Sequence, residues 1–210
     1  MTTKEKLILE NKAWVLEKLC LDKDYFSRIA EMHTPNILWI GSSDSLISVR
    51  EITNTEPGEI LLYQNIAGQV RDDDKSLMAM IEDAIEVHRI EYIVVCGYSH
   101  CGGIRDVLLG AQDRPMVKEW LEPIIALYEA HRDELDALDF DQKERRLCEL
   151  NIKAQIMKLS TLDCIRKAWK KGKEPILLGW YFDLANGSLK EVFSMDANDQ
   201  IKRVAKLTSP

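Results

Sequence analysis

Hydrophobic and polar positions along the chain switch between two spacings, and the switch predicts alternating helices and strands. Residues 4–21 set Leu7, Trp14, Val15 and Leu19 among charged neighbours, which predicts a helix. A second, shorter helix over about 24–32 is capped by Asp22 or Asp24 and stopped by Pro35. Asn36 to Gly41 is an unbroken apolar run (NILWIG), suited to a strand covered on both faces of a parallel sheet. A short strand over 60–64 follows the turn Glu56-Pro57-Gly58, and a helix over 75–88 precedes the strand Tyr92 to Cys96. That strand runs straight into GYSHCGG, and a helix begins near Ile104.

The second half is mostly helical. Leu147, Leu150, Ala154, Met157, Thr161, Cys164 and Ala168 alternate in steps of three and four, which predicts one buried stripe on a long helix. Cys148 and Cys164 are read as helix packing and surface, and Cys96, inside an apolar strand, as core. Pro175 to Tyr181 predicts a late strand, and Asn186-Gly187 a hairpin turn into Leu189–Ser194. With no repeat and no low-complexity linker, the economical reading is one α/β domain over 1–210 with an N-terminal helical arm over 1–34.

Composition narrows the function classes. The net charge of -7 argues against nucleic-acid phosphate as a partner. No apolar run approaches the roughly 18–20 residues of a membrane span, so no membrane insertion is expected. The charged start MTTKEKLILENK has no apolar h-region, and the expected location is the cytoplasm. Five scattered cysteines suit free thiols in a reducing compartment.

Ligands of open α/β sheets collect at the carboxyl ends of strands. Two loops qualify here: Gly41-Ser42-Ser43-Asp44-Ser45 and Gly97 to Gly103, the second holding Tyr98, His100 and Cys101. Together they resemble the β-class carbonic anhydrases, whose motifs run roughly WIGCSDSR, EPGE, RNVAN and CGHSxCGG. This chain has Trp39-Ile-Gly-Ser-Ser-Asp-Ser-Leu46, Glu56-Pro-Gly-Glu59, Gln64-Asn-Ile-Ala-Gly68 and Cys96-Gly-Tyr-Ser-His-Cys-Gly-Gly103 in the same order. The resemblance spans essentially the whole chain. It implies a central, mostly parallel sheet flanked by helices, with an arm that embraces a second copy. A homodimer or tetramer with its site at the dimer interface follows from the same likeness.

The departures carry as much information. The resemblance implies a Cys–His–Cys zinc site and an Asp–Arg pair. Carried over, the ligand positions are Ser42, Tyr98 and Cys101, and the Asp is retained as Asp44 with Leu46 in place of its Arg. Gln64 stands for a further Arg, His33 for an active-site Gln, and Gly102 and Gly103 complete the pocket. A second bicarbonate pocket built from Trp, Arg and Tyr maps to Trp39, Gln64 and Phe182, without cation or hydroxyl.

Neutral hydroxyls bind zinc poorly. Replacing two of three ligands removes most of the roughly 10 kcal/mol or more that a good site supplies. Asp44 without Arg also loses the partner that keeps a carboxylate charged. The expectation is a homologue without catalytic zinc or CO2 hydration, holding a residual pocket for a small anion or a CO2- or bicarbonate-like ligand. Three alternatives stay open. One is a hydratase with zinc rearranged onto Cys101, Asp44 and His33. Another is a cysteine-based enzyme using a Cys101 thiolate favoured by its helix N-terminus and His100. The third is an interaction subunit paired with an active paralogue.

Overall fold

The computed structural model describes residues 2–31, 35–110, 113–172 and 174–199. Its centre is a five-stranded sheet: β1 (Ile37–Ser42), β2 (Ile60–Asn65), β3 (Tyr92–Tyr98), β4 (Ile176–Asp183) and β5 (Ser188–Met195). The spatial order is β2-β1-β3-β4-β5; the first four strands run parallel and β5 pairs antiparallel with β4. The sheet is thus mostly parallel, and the Asn186-Gly187 turn supplies the one antiparallel neighbour through a left-handed Gly187.

Both faces of the sheet are covered, which explains the unbroken apolar runs. Leu38, Ile40, Ile93 and Val95 point to one side, against α4 (Lys75–Glu86) and α9 (Asp163–Lys171). Trp39, Val94, Cys96 and Tyr98 point to the other, against α5 (Gly102–Leu109), α6 (Pro115–Ala130), α7 (Arg132–Asp136) and α8 (Phe140–Leu159). On α4, Leu77 and Ile81 are fully buried, each contributing on the order of 1.5–3 kcal/mol. Asp74 caps that helix by accepting from the Leu77 N–H.

The long helix expected through Ala168 is two helices. Ser160 and Thr161 turn their hydroxyls back onto the carbonyls of Met157 and Lys158, and the chain breaks there before α9. The buried stripe of α8 is also shifted: Leu147, Cys148, Asn151, Ile152, Gln155, Ile156 and Leu159 face inward, whereas Thr161 is exposed. A short helix, α3 (Val49–Thr53), follows β1 and was not expected; Ser48 and Glu51 form its capping box.

The arm consists of α1 (Thr3–Leu21) and α2 (Tyr25–Glu31). Thr2 and Glu5 cap α1 reciprocally, yet none of its residues is buried. Trp14 packs edge-on against Tyr25 and Phe26 and ties the two helices together. Leu7, Leu16 and Leu21 stand in solvent. Among the described residues no helix is long and apolar enough to cross a membrane.

Candidate functional site

The site forms where β1 and β3 end side by side and α5 begins. Ser42 is the last residue of β1 and is buried; Asp44 lies two residues on, in an exposed loop. Tyr98, the last residue of β3, is buried beside them, and Cys101 caps α5. His100 takes a left-handed conformation (φ 65°) to make this turn. The structure brings Ser42, Asp44, Tyr98, Cys101 and Gly102 together here.

Their polar groups satisfy one another. The Ser42 hydroxyl donates to Asp44 Oδ1 at 2.5 Å, and the Gly102 N–H donates to Asp44 Oδ2 at 2.6 Å. The Tyr98 phenol, on the end of β3, adds to the influences that hold the Asp44 charge. Ser42 Oγ accepts from the Ala67 N–H at 3.0 Å and from the Cys101 thiol at 3.5 Å. Gln64 Nε2 donates to the Ser42 carbonyl at 3.1 Å. Gly102 has to be glycine for this contact, because a Cβ there would stand 2.5 Å from Asp44 Oδ2. Gly103 packs its first helical turn against Ile66 and Ala67.

Electrostatics follow from these contacts. Partial burial pushes the Asp44 carboxyl up, but the donors from Ser42, Tyr98 and Gly102 together outweigh it and hold it below the usual carboxylate range. The expectation that Asp44 is left without support for its charge is therefore corrected: two hydroxyls and a helix N–H take that part, while Leu46 stands 81% exposed. Burial, and then the hydrogen bond to Asp44, push the Tyr98 phenol far above its ordinary value. Burial and the Asp44 charge likewise push the Cys101 thiol up. The alternative of an activated Cys101 thiolate is not favoured, because desolvation and a neighbouring anion outweigh the helix end. Cys96 is pushed up to about 12 by burial and belongs to the core.

Trp39, Gln64 and Phe182, the residues mapped to the second pocket, do line one cavity, together with Ser42, Cys96 and Tyr98. Its volume is about 20 Å3, room for one water and too little for a planar oxyanion. His100 does not face Cys101; its Nδ1 lies 3.8 Å from Glu144 Oε2. His33 lies outside the described residues. Among the described residues, no three His, Cys, Asp or Glu side chains form a group that could hold a metal ion.

Sequence reasoning missed the donors that come from the backbone, above all Ala67, whose φ of 62° is invisible in a plain Ile-Ala-Gly. It also missed Asn151 and Gln155, whose signal was available: two amides one turn apart inside an apolar helix stripe. Asn151 Nδ2 donates to the Ala67 carbonyl at 3.0 Å, and Gln155 Oε1 accepts from the Val70 N–H at 2.8 Å.

Comparison with known proteins agrees with this architecture. The family model described as carbonic anhydrase matches residues 37–189. A carbonic anhydrase of Emericella nidulans is 34% identical over 191 residues, 90% of this chain and 83% of that protein. Among solved structures, one of two tetrameric β-carbonic anhydrases of Sordaria macrospora superposes with a TM-score of 0.85 at 31% identity, covering 92% of this chain and 98% of that one. A Coccomyxa β-carbonic anhydrase in complex with acetazolamide gives 0.85 at 25% identity, covering 93% and 89%. With a family match across most of the chain and the same fold throughout, this protein belongs to the β-class carbonic anhydrase family.

Proposed function

We propose that this chain is a member of the family that carries no catalytic zinc and does not hydrate CO2. The observation that supports it most directly is the pair of hydrogen bonds on the two Asp44 oxygens, from the Ser42 hydroxyl and the Gly102 N–H. Zinc, where a protein binds it, supplies a water acidic near pH 7, and it asks for three charged or imidazole donors to do so. The side chains gathered here do not fit that demand. Ser42 and Tyr98 are neutral hydroxyls, and burial makes Tyr98 harder still to ionise. The Cys101 thiolate is disfavoured by burial and by Asp44. Asp44 alone is a good anionic donor, and its oxygens are engaged.

In this reading the hydrogen-bonded cluster does the tying that a metal would do, joining the ends of β1 and β3 to the start of α5. A ligand larger than water enters the cavity only if lining side chains such as Tyr98 move. Whole-chain organisation follows the same reading: one domain in a cytoplasmic, reducing setting, its arm lying against a second copy. The uncovered leucines of α1 support self-association, as does the tetrameric state of the Sordaria relative.

Elemental analysis of protein purified without chelators, paired with a CO2 hydration assay on the same sample, tests the proposal. The expected result is no stoichiometric zinc and a hydration rate equal to the blank. Zinc bound one per chain together with hydration overturns it.

A further inference from the structure

One of the non-glycine residues held in a left-handed conformation lies at the floor of the site. Ala67 sits in the left-handed region (φ 62°, ψ 17°), where a side chain costs on the order of 1–2 kcal/mol. Flipping the single peptide between Ile66 and Ala67 by half a turn would carry φ of Ala67 back into the ordinary negative range. Something therefore holds that peptide against its own preference.

Both of its ends are held. The Trp120 indole N–H, from α6, donates to the Ile66 carbonyl at 2.9 Å. On the other side the Ala67 N–H donates to Ser42 Oγ at 3.0 Å. Trp120 is itself anchored, since its carbonyl accepts from Gln69 Nε2 at 2.9 Å and Arg71 Nη1 at 3.1 Å, and the Arg71 guanidinium lies 4.9 Å from its ring centroid. Asn151 on α8 grips the next carbonyl, that of Ala67, and Gln155 Nε2 fixes Asn151 through its Oδ1 at 2.7 Å.

The direction of this peptide decides where the Ser42 proton goes. A hydroxyl has one proton to give. With the Ala67 N–H pointing at Oγ, Ser42 accepts from below and gives its proton to Asp44. With the peptide flipped, the Ile66 carbonyl faces Oγ, Ser42 donates there instead, and Asp44 loses a donor. We infer that Trp120 and Asn151 are positioning residues that hold the Ile66–Ala67 peptide with its N–H toward residue 42, so that this position takes a hydrogen-bond acceptor whose own proton is directed to Asp44. Neither residue is joined to Asp44 by a hydrogen bond; Trp120 acts through the Ile66–Ala67 peptide and Ser42, and Asn151 through the following peptide as well. The inference rests on the metal-free reading in one respect, that Ser42 and Asp44 hold each other.

Trp120→Phe tests it, because the ring stays and only the donor is lost. The expected crystal structure of this variant has the Ile66–Ala67 peptide flipped, with φ of residue 67 negative. Hydrogen exchange of the segment spanning residue 67 is expected to quicken about fivefold, the factor that accompanies loss of one ordinary hydrogen bond. In a double-mutant cycle with Ser42→Ala, the two losses of stability are expected to be non-additive, although no hydrogen bond joins the two side chains. Asn151→Asp, which keeps the shape and removes the donor to Ala67, is expected to give the same coupling. An unflipped peptide with additive cycles in both variants overturns the inference. Zinc content is measured on the same samples. A zinc-loaded protein that keeps the coupling overturns the metal-free reading alone, and a zinc-free protein without the coupling overturns this inference alone.

Discussion

Two stretches of backbone meet at Ser42, and they are built differently. The loop that leaves β1 is exposed at Ser43, Asp44, Ser45, Leu46 and Ser48, and it is held by the Ser43 N–H on the Asn65 carbonyl, by Ile47 against the core and by the Asp44 carboxylate on the Gly102 N–H. The turn that leaves β2 buries Ala67, Gly68 and Gln69, accepts hydrogen bonds from Trp120 on α6 and Asn151 on α8, and donates one from Val70 to Gln155. Strain is tolerated in the second stretch because fixed partners surround it. The first carries the Asp44 carboxylate but little buried surface. The backbone that aims hydrogens at the site is fixed from the interior, and the hydroxyls of Ser42 and Tyr98 settle on that frame.

The sharpest way to break this contrast is to restore the chemistry and leave the frame untouched. Ser42→Cys combined with Tyr98→His is expected to give stoichiometric zinc by elemental analysis, each single change doing much less, since good zinc sites supply on the order of 10 kcal/mol. Hydration by this variant is expected to need Leu46→Arg as well. A double variant that stays zinc-free would show that the frame has moved too.

Striking the frame instead is expected to cost more stability than striking the loop. Asn151→Leu leaves the Ala67 carbonyl and the Gln155 amide unpaired in the interior, and a loss of about 2–4 kcal/mol is expected in urea unfolding. Gly102→Ala sits between the two regions. Its Cβ pushes Asp44 off the helix N–H, for an expected loss of about 1–2 kcal/mol.

Acid titration sharpens the comparison further. The folded carboxyl of Asp44 is held below its unfolded value, so its contribution to stability is present above about pH 4 and is lost as pH falls through the folded value. Asp44→Asn is expected to flatten the acid limb of the stability curve and to leave its neutral limb unchanged in slope. The smallest expected effect belongs to Leu46→Arg alone, within about 0.5 kcal/mol and without hydration, because that side chain already stands in water.

The sheet was legible in the sequence because buried parallel strands leave long apolar runs, as in Ile37–Ile40 and Tyr92–Cys96, and because the motifs around Asp44 and Cys101 mark strand ends. The break at Ser160–Leu162 was not, since a helical period continues through it and only the back-bonding hydroxyls end α8. In the site, the residue list was readable but the relations were not. Leu46 suggested an unsupported Asp44, whereas support comes from Ser42, Tyr98 and a backbone N–H, one of which no side-chain pattern reveals. His100 beside Cys101 suggested an activated thiol, whereas His100 turns toward Glu144 and Cys101 is buried against an anion. Asn151 and Gln155 were in plain view, amides on a core-facing stripe, and buried amides imply something to hold.

The first helix has a consequence of a different kind. Leu7, Ile8, Leu9, Leu16 and Leu21 spread apolar surface along a segment with no buried residue. Surface of that kind gains free energy only when another surface covers it. Once the cover comes from outside the chain, the unfolding equilibrium gains a term in protein concentration, and its midpoint rises as the solution is made more concentrated. A dilute sample and a concentrated one are then, thermodynamically, two different proteins.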